Sequence, residues 1–288
     1  MTDNMNIQWY PGHMTKTRRQ IEADLKLVDA VCEIVDARIP VSSRNPDIDA
    51  ICGDKPRMIV LNRMDLADPA ATKKWAEYFR RKGMAVIATD CKSRRGISDF
   101  TPAARRACAE KLERDAKRGM NRPLRVMVVG IPNVGKSTLI NQISGRKSAK
   151  AENRPGVTRG KQWVTVDSGL QLLDTPGILW PKFEDPEVGM MLAYTGAVKE
   201  GVIDLEELAY RLMELLHKFY PQTLLERYKV EAPEGTPGWQ LLEMAARKRG
   251  YLVSGGEVNT ERMAKVLLDE FRSGKLGNFT LEMPEDMV

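Results

Sequence analysis

Six short runs of aliphatic and β-branched residues punctuate the first 174 positions: AVCEIVDA (30–37), RMIVLN (57–62), AVIATD (85–90), RVMVVG (125–130), QWVTVD (162–167) and LQLLD (170–174). Most end in a loop carrying Gly, Asp or Asn, and helical stretches lie between them, notably 69–82 and 100–118. Such alternation predicts βαβ units: a mainly parallel sheet with helices on both faces and ligands at the carboxyl ends of its strands. The last two runs are close enough to pair as an antiparallel hairpin around Asp167–Gly169.

Beyond WPKFEDPE (180–187) the period changes. Leu205, Leu208, Ala209, Leu212, Leu215, Leu216 and Phe219 recur at helical spacing, with Asp204 placed to cap them. Further helices are expected at 187–199, 237–249 and 260–273. The division this suggests is an α/β domain over 1–180 and a small all-helical domain over 181–288.

Charge sharpens that division. Residues 181–288 hold 13 Lys and Arg against 19 Asp and Glu, a balance of −6, whereas the preceding 180 hold 32 against 20, a balance of +12. Basic clusters at Lys16/Arg18/Arg19, Arg80–Lys82, Lys92/Arg94/Arg95, Arg105/Arg106 and Lys117/Arg118 form an electrostatic footprint for a polyanion, for which nucleic acid is the leading candidate. No apolar run is long enough to span a bilayer, and MTDNMNIQWYPGHM lacks a signal-peptide pattern. Cys32, Cys52, Cys91 and Cys108 lack metal-ligand spacing, which favours reduced thiols. A cytoplasmic protein is expected.

Between a predicted strand and a predicted helix lies Gly130-Ile-Pro-Asn-Val-Gly135-Lys136-Ser137, a complete GxxxxGK[ST] phosphate loop. Its backbone N–H groups and the helix N-terminus face the anion, from Asn133 and Val134 through Gly135 to Thr138. Lys136 reaches the β- and γ-phosphates, and Ser137 ligates Mg²⁺. At 38 residues beyond Lys136, LLDTPG supplies Asp174 for the metal side and the Gly177 amide for the γ-phosphate. Thr158, in RPGVTRG, is the candidate to close over Mg²⁺, with Thr165 and Ser168 as nearby alternatives.

The base is read from a different segment. NRMD (Asn62, Arg63, Met64, Asp65) follows the second strand, and Asp65 can accept from N1–H and the N2 amine of guanine. Adenine would leave that carboxylate unpaired. Asn62 suits the opposite edge and ties its loop to the phosphate loop. Arg63 stands where this motif usually has Lys, its stem able to cover the base face. The strand ending TDC offers a second base loop around Asp90 and Cys91. All of this precedes the phosphate loop, so the order of an ordinary GTP site is exchanged: a circular permutation, inexpensive because domain termini lie close enough to be joined. The helical stretch 100–118 and the loop to Arg125 form the joining segment.

WYPGHM (9–14), DARIPVSSRNP (36–46), NRMD, GIPNVGKSTLIN (130–141), RPGVT and DTPGILWPKFED (174–185) together resemble the circularly permuted ribosome-assembly GTPases, over nearly the whole chain. The resemblance implies a GTPase switch, cycling between GTP and GDP and stimulated by the ribosomal particle, that assists late maturation of the large ribosomal subunit. It implies rRNA contacts from both domains, ribosomal proteins as partners, no membrane, and a monomer off the ribosome. The alternative is a GTP-dependent RNA-binding module with incidental hydrolysis. Ile178 stands where many GTPases place a water-orienting Gln, so another group must act. His13 is the histidine the resemblance offers for that role, against packing beside Trp9 and Tyr10 or an rRNA contact. Asn133 matches the residue some relatives use to hold K⁺. His217, inside the apolar helix, is expected to be structural.

Overall fold

The structure, a computed structural model, describes residues 14–145, 162–175, 185–198 and 204–287. The six apolar runs are six strands: β1 (Ala30–Asp36), β2 (Arg57–Asn62), β3 (Ala85–Thr89), β4 (Leu124–Val129), β5 (Gln162–Asp167) and β6 (Leu170–Asp174). They form one sheet in the order β3-β2-β1-β4-β6-β5, parallel throughout except for the β5–β6 hairpin. Alongside lie α1 (Met14–Leu25), α2 (Ile48–Cys52), α3 (Pro69–Arg81), α4 (Phe100–Ala107), α5 (Ala109–Lys117) and α6 (Lys136–Ser144).

Strand periodicity assigns the two faces. Val31, Val35, Ile59, Leu61, Met127 and Val129 share a parity through the register of β1 with β2 and β4. They pack with Ile21 and Leu25 of α1, Ile48 of α2, and Trp75 and Phe79 of α3. The alternate positions Cys32, Ile34, Val60 and Val128 are as deeply buried on the opposite face, so β1 has no exposed residue at all. A strand covered on both faces reads as a mostly apolar run, and its one interior charge, Glu33, is paired with Arg44 and Arg57. The stretch expected as one helix over 100–118 is two. Cys108, at φ −109° and ψ 18°, breaks it; α4 buries Phe100, Ala103 and Ala104, whereas α5 buries nothing that would hold it in line.

The helical unit comprises α7 (Pro186–Tyr194), α8 (Leu205–Phe219), α9 (Pro221–Tyr228), α10 (Gly238–Lys248) and α11 (Thr260–Ser273). Asp204 caps α8 as expected, accepting from the N–H groups of Glu206 (2.8 Å) and Glu207 (3.1 Å). The buried stripe is rotated from its expected line: Met213 is inside and Phe219 is 40% exposed, on a helix that packs against both α10 and α11. His217 contacts the Ala232 carbonyl at 3.1 Å, a structural tie within this unit. α9 is an addition to the expected helices.

The chain does not divide at a single point. Phe183–Leu281 form the helical unit, while the residues from Glu282 onward return to the unit built on the sheet. The sequence reading assigned the whole of 181–288 to the helices. What relocates the tail is specific: the Glu282 carbonyl accepts from Trp75 Nε1 at 2.8 Å, and Glu285 pairs with Lys74 at 2.9 Å. The last short turn (Pro284–Met287) thereby lies on α3.

Candidate guanine-nucleotide site

The strand order decides where a ligand can sit. From β1 the chain winds outward through β2 and β3; on the other side of β1 lie β4, then β6, with β5 at the far edge returning to it as a hairpin. The carboxyl ends of β1 and β4, adjacent and parallel, flank the point where the direction reverses, the position at which open α/β sheets bind ligands. The loop after β4 is the phosphate loop, that after β2 the NRMD loop, that after β3 the TDC loop, and that after β6 begins DTPG. All four open on the same edge of the sheet.

The phosphate loop is shaped by backbone that few residues tolerate. Asn133 and Gly135 have φ of 61° and 100°. A Cβ on Gly135 would meet Asn62 Nδ2 at 2.4 Å, and one on Gly130 would meet the Ile34 carbonyl oxygen at 2.8 Å, so glycine is required at both for close approach. Lys136 and Ser137 then occupy the first turn of α6, where the helix N–H groups are free to face an anion.

The base-reading loop is bolted to this cradle. Asn62 Nδ2 donates to the Val134 carbonyl at 2.8 Å, and Arg63 Nη2 donates to the Asn133 carbonyl at 2.7 Å. The structure thus brings together two segments separated by some seventy residues, and the Asn62 tie is the one expected from sequence. Arg63, at φ 60°, spends its guanidinium on the phosphate loop, with Asp36 3.7 Å from its Nε. Met64 N–H donates to the Thr89 carbonyl, joining this loop to the one after β3.

In that third loop, Thr89 Oγ1 and Cys91 Sγ both donate to Asn62 Oδ1, at 3.1 and 3.2 Å. The Asp90 carboxylate accepts from Lys92 N–H at 2.8 Å and from the Ser93 hydroxyl. Asp90 and Cys91, grouped with the base-contacting residues by sequence, are therefore side chains that build their loop, both under 7% exposed. Burial pushes the Cys91 thiol up to about 11, which keeps it a neutral donor to Asn62. Thr89 was missed in the sequence because a strand-end threonine carries no distinguishing signal.

Lys136 and Asp174 face each other across the phosphate end. Lys136 Nζ lies 3.6 Å from Asp174 Oδ1, and both residues are buried. Asp174 Oδ1 has no hydrogen-bond partner among the described residues. Burial raises the Asp174 carboxyl and lowers the Lys136 ammonium, each opposed by the other's charge. Both directions are set by removal from water, which the pairing only partly offsets. Thr175 is fixed behind them by a 2.8 Å bond to the Val128 carbonyl. His13, Thr158, Gly177 and Ile178 lie outside the described residues.

Residues Asp36 and Arg38, part of the DARIP run, received no role from sequence. Both are buried; Arg38 donates to Asp36 through its N–H (3.0 Å), Nε (2.9 Å) and Nη2 (2.7 Å). Burial would raise the Asp36 carboxyl, but the guanidinium beside it holds it below the usual carboxylate range. The four cysteines are free and buried. No helix among the described residues is long and apolar enough to cross a membrane.

Comparison with known proteins agrees with this architecture. Residues 125–220 match the family described as 50S ribosome-binding GTPase. The match starts at β4 and so includes the phosphate loop but not the base-reading loops, which in this chain come earlier. Ribosome biogenesis GTPase A of Priestia megaterium is 45% identical over 98% of both chains, and that of Thermotoga maritima is 34% identical over 98% of this chain and 96% of its own. The crystal structure of GNP-bound YlqF from T. maritima superposes with a TM-score of 0.62 at 29% identity, covering 94% of this chain and 99% of that one, and its GDP-bound counterpart with 0.67 at 30%, covering 93% and 100%. Near-full-length identity at this level, with the exchanged order of base and phosphate loops on one sheet, means that the chain belongs to the ribosome biogenesis GTPase A family and is a GTPase with a role in ribosome assembly.

Proposed function

We propose that this GTPase is a switch in late maturation of the large ribosomal subunit, binding the pre-ribosomal particle and its rRNA in the GTP state and leaving after hydrolysis. The observation that carries the nucleotide half is the pair of bonds from Asn62 and Arg63 to the phosphate loop, which fixes the distance between base reader and phosphate cradle. In this reading Asp65 pairs with the guanine edge, and the amides from Asn133 to Thr138, with Lys136, take the phosphates. Ser137 and Asp174, with Thr158, would hold Mg²⁺: hard oxygen donors suit that ion, and Asp174 Oδ1, which accepts no hydrogen bond among the described residues, leaves lone pairs for it. When bound, Mg²⁺ neutralises charge on the β- and γ-phosphates. Gly177 N–H faces the γ-phosphate, and Asn133 is the candidate to hold K⁺.

The partner half rests on charge and on the relatives' names. Arg80–Lys82, Lys92, Arg94 and Arg95 are exposed on the sheet-containing unit, as are Arg105 and Arg106. An rRNA backbone is the polyanion that a ribosome-assembly factor meets. A cytoplasmic location and a monomer off the particle belong to the same reading. Purified large subunits should raise GTP turnover, and cosedimentation with them should be stronger under a non-hydrolysable GTP analogue than under GDP. Equal cosedimentation in both states, or turnover indifferent to subunits, would overturn the switch.

Because Ile178 cannot orient water, His13 is assigned that task. His13→Ala is expected to keep GTP affinity and particle binding while subunit-stimulated turnover falls about 10²-fold, the scale of a lost positioned catalytic group. An rRNA-contact role instead predicts weaker particle binding with full turnover at saturating subunit, and a packing role predicts a lowered Tm with general loss. Full turnover at saturation in a stable, GTP-binding variant would sink the catalytic assignment.

A further inference from the structure

The loop after β1, residues 37–46, forms no part of the nucleotide chemistry described above, yet it is held by a residue more than 230 positions away. The Glu282 carboxylate accepts from Val41 N–H at 2.6 Å, from Ser42 N–H at 3.0 Å and from the Ser42 hydroxyl. Two successive backbone N–H groups and a hydroxyl converging on one carboxylate make an anion nest, and a carboxylate bonds such donors more strongly than a neutral acceptor would. The loop's own backbone offers these donors no other partner of that strength.

The next bonds lead inward. Ser43 Oγ donates to the Ile39 carbonyl at 2.6 Å and accepts from Asp36 N–H at 2.9 Å, which ties the loop back to the end of β1. Asp36 is clamped by Arg38, and its second oxygen lies 3.7 Å from Arg63 Nε. Arg63 in turn donates to the Asn133 carbonyl of the phosphate loop. From Glu282 to the nucleotide cradle the path thus runs through hydrogen bonds and an ion pair, with the peptide bond between Ser42 and Ser43 as its covalent step.

We propose that Glu282 is a positioning residue for guanine-nucleotide binding, acting through loop 37–46 and the Asp36–Arg38 pair to hold Arg63 against the phosphate loop. Leu281 belongs to the helical unit and Glu282 to the nucleotide unit, so the chain passes between them with no spacer residue. The helical unit is therefore covalently joined to the nucleotide unit on both sides: next to DTPG at one end and next to this strut at the other.

The inference rests on the base being read at Asn62–Asp65. Its test is the GDP dissociation rate of the full chain, followed with a fluorescent GDP, together with Tm. Glu282→Ala should speed GDP release about tenfold, and Glu282→Gln by less, since one carbonyl oxygen replaces two. In an Arg63→Ala background, Glu282→Ala should add nothing to release, because the strut then ends on a missing side chain. Should Glu282→Ala fold poorly, Ser42→Ala removes one donor and should speed release two- to threefold, by the loss of roughly half a kcal/mol. A lowered Tm with GDP release unchanged, or equal acceleration with and without Arg63, would overturn the proposal. If Asp65→Asn shifts base preference while release in Glu282→Ala is unchanged, only the strut fails and the base site stands.

Discussion

Lys136→Ala is expected to lower affinity for both GTP and GDP by about 10²-fold or more, the scale of losing charge-assisted bonds to two phosphates. Lys136 is the first residue of α6, buried at the phosphate end, with its ammonium 3.6 Å from Asp174. Removing it also strands Asp174, whose carboxyl burial already pushes upward, beside a space with no fixed cation. Breaking one side of a buried pair costs stability, so a modest fall in Tm should accompany the binding loss. Isothermal titration with GDP at matched folded fraction separates the two effects. Near-normal affinity in the folded variant would refute the phosphate-loop assignment.

Asp65→Asn should exchange the base preference. With guanine, the new amide meets N1–H and N2–H donors with a donor of its own, and GTP affinity should fall about 10²-fold or more, the usual penalty for an unpaired polar group in a reading site. Xanthine carries a carbonyl in place of the N2 amine and can accept from that amide, so XTP should gain where GTP loses. Asn62 has its own ties, donating to Val134 and accepting from Thr89 and Cys91. Competition of GTP and XTP against a fluorescent nucleotide gives the ratio directly. Unchanged GTP-over-XTP selectivity would contradict the base-reader assignment.

Asp65 and Asp90 show how differently two strand-end carboxylates can be read. Asp65 sits in a short motif whose residue types map onto donors and acceptors of guanine, so its chemistry is local. Asp90 has an equally suggestive place at a strand end, but its carboxylate is used by Lys92 N–H and Ser93 within three residues. Short polar side chains after a strand compete for their own backbone, and sequence does not say which demand wins. A similar ambiguity underlies the joining segment 100–118, whose helical pattern is sound but whose break at Cys108 depends on what each half has to pack against.

What the sequence determined by itself is whatever repeats at short range: buried strands as mostly apolar runs, the capped helix from Asp204, and the two motifs whose exchanged order requires a permuted domain. Only the tertiary structure decided that Arg63 reaches Asn133, that Cys91 and Thr89 serve Asn62, and that Glu282 leaves the helices to hold Val41 and Ser42. The reason is physical. Each of these bonds joins a donor and an acceptor brought together by strand order, and a lone Glu or Thr in a chain carries no mark of a partner that parallel strands and a returning tail place within hydrogen-bond reach.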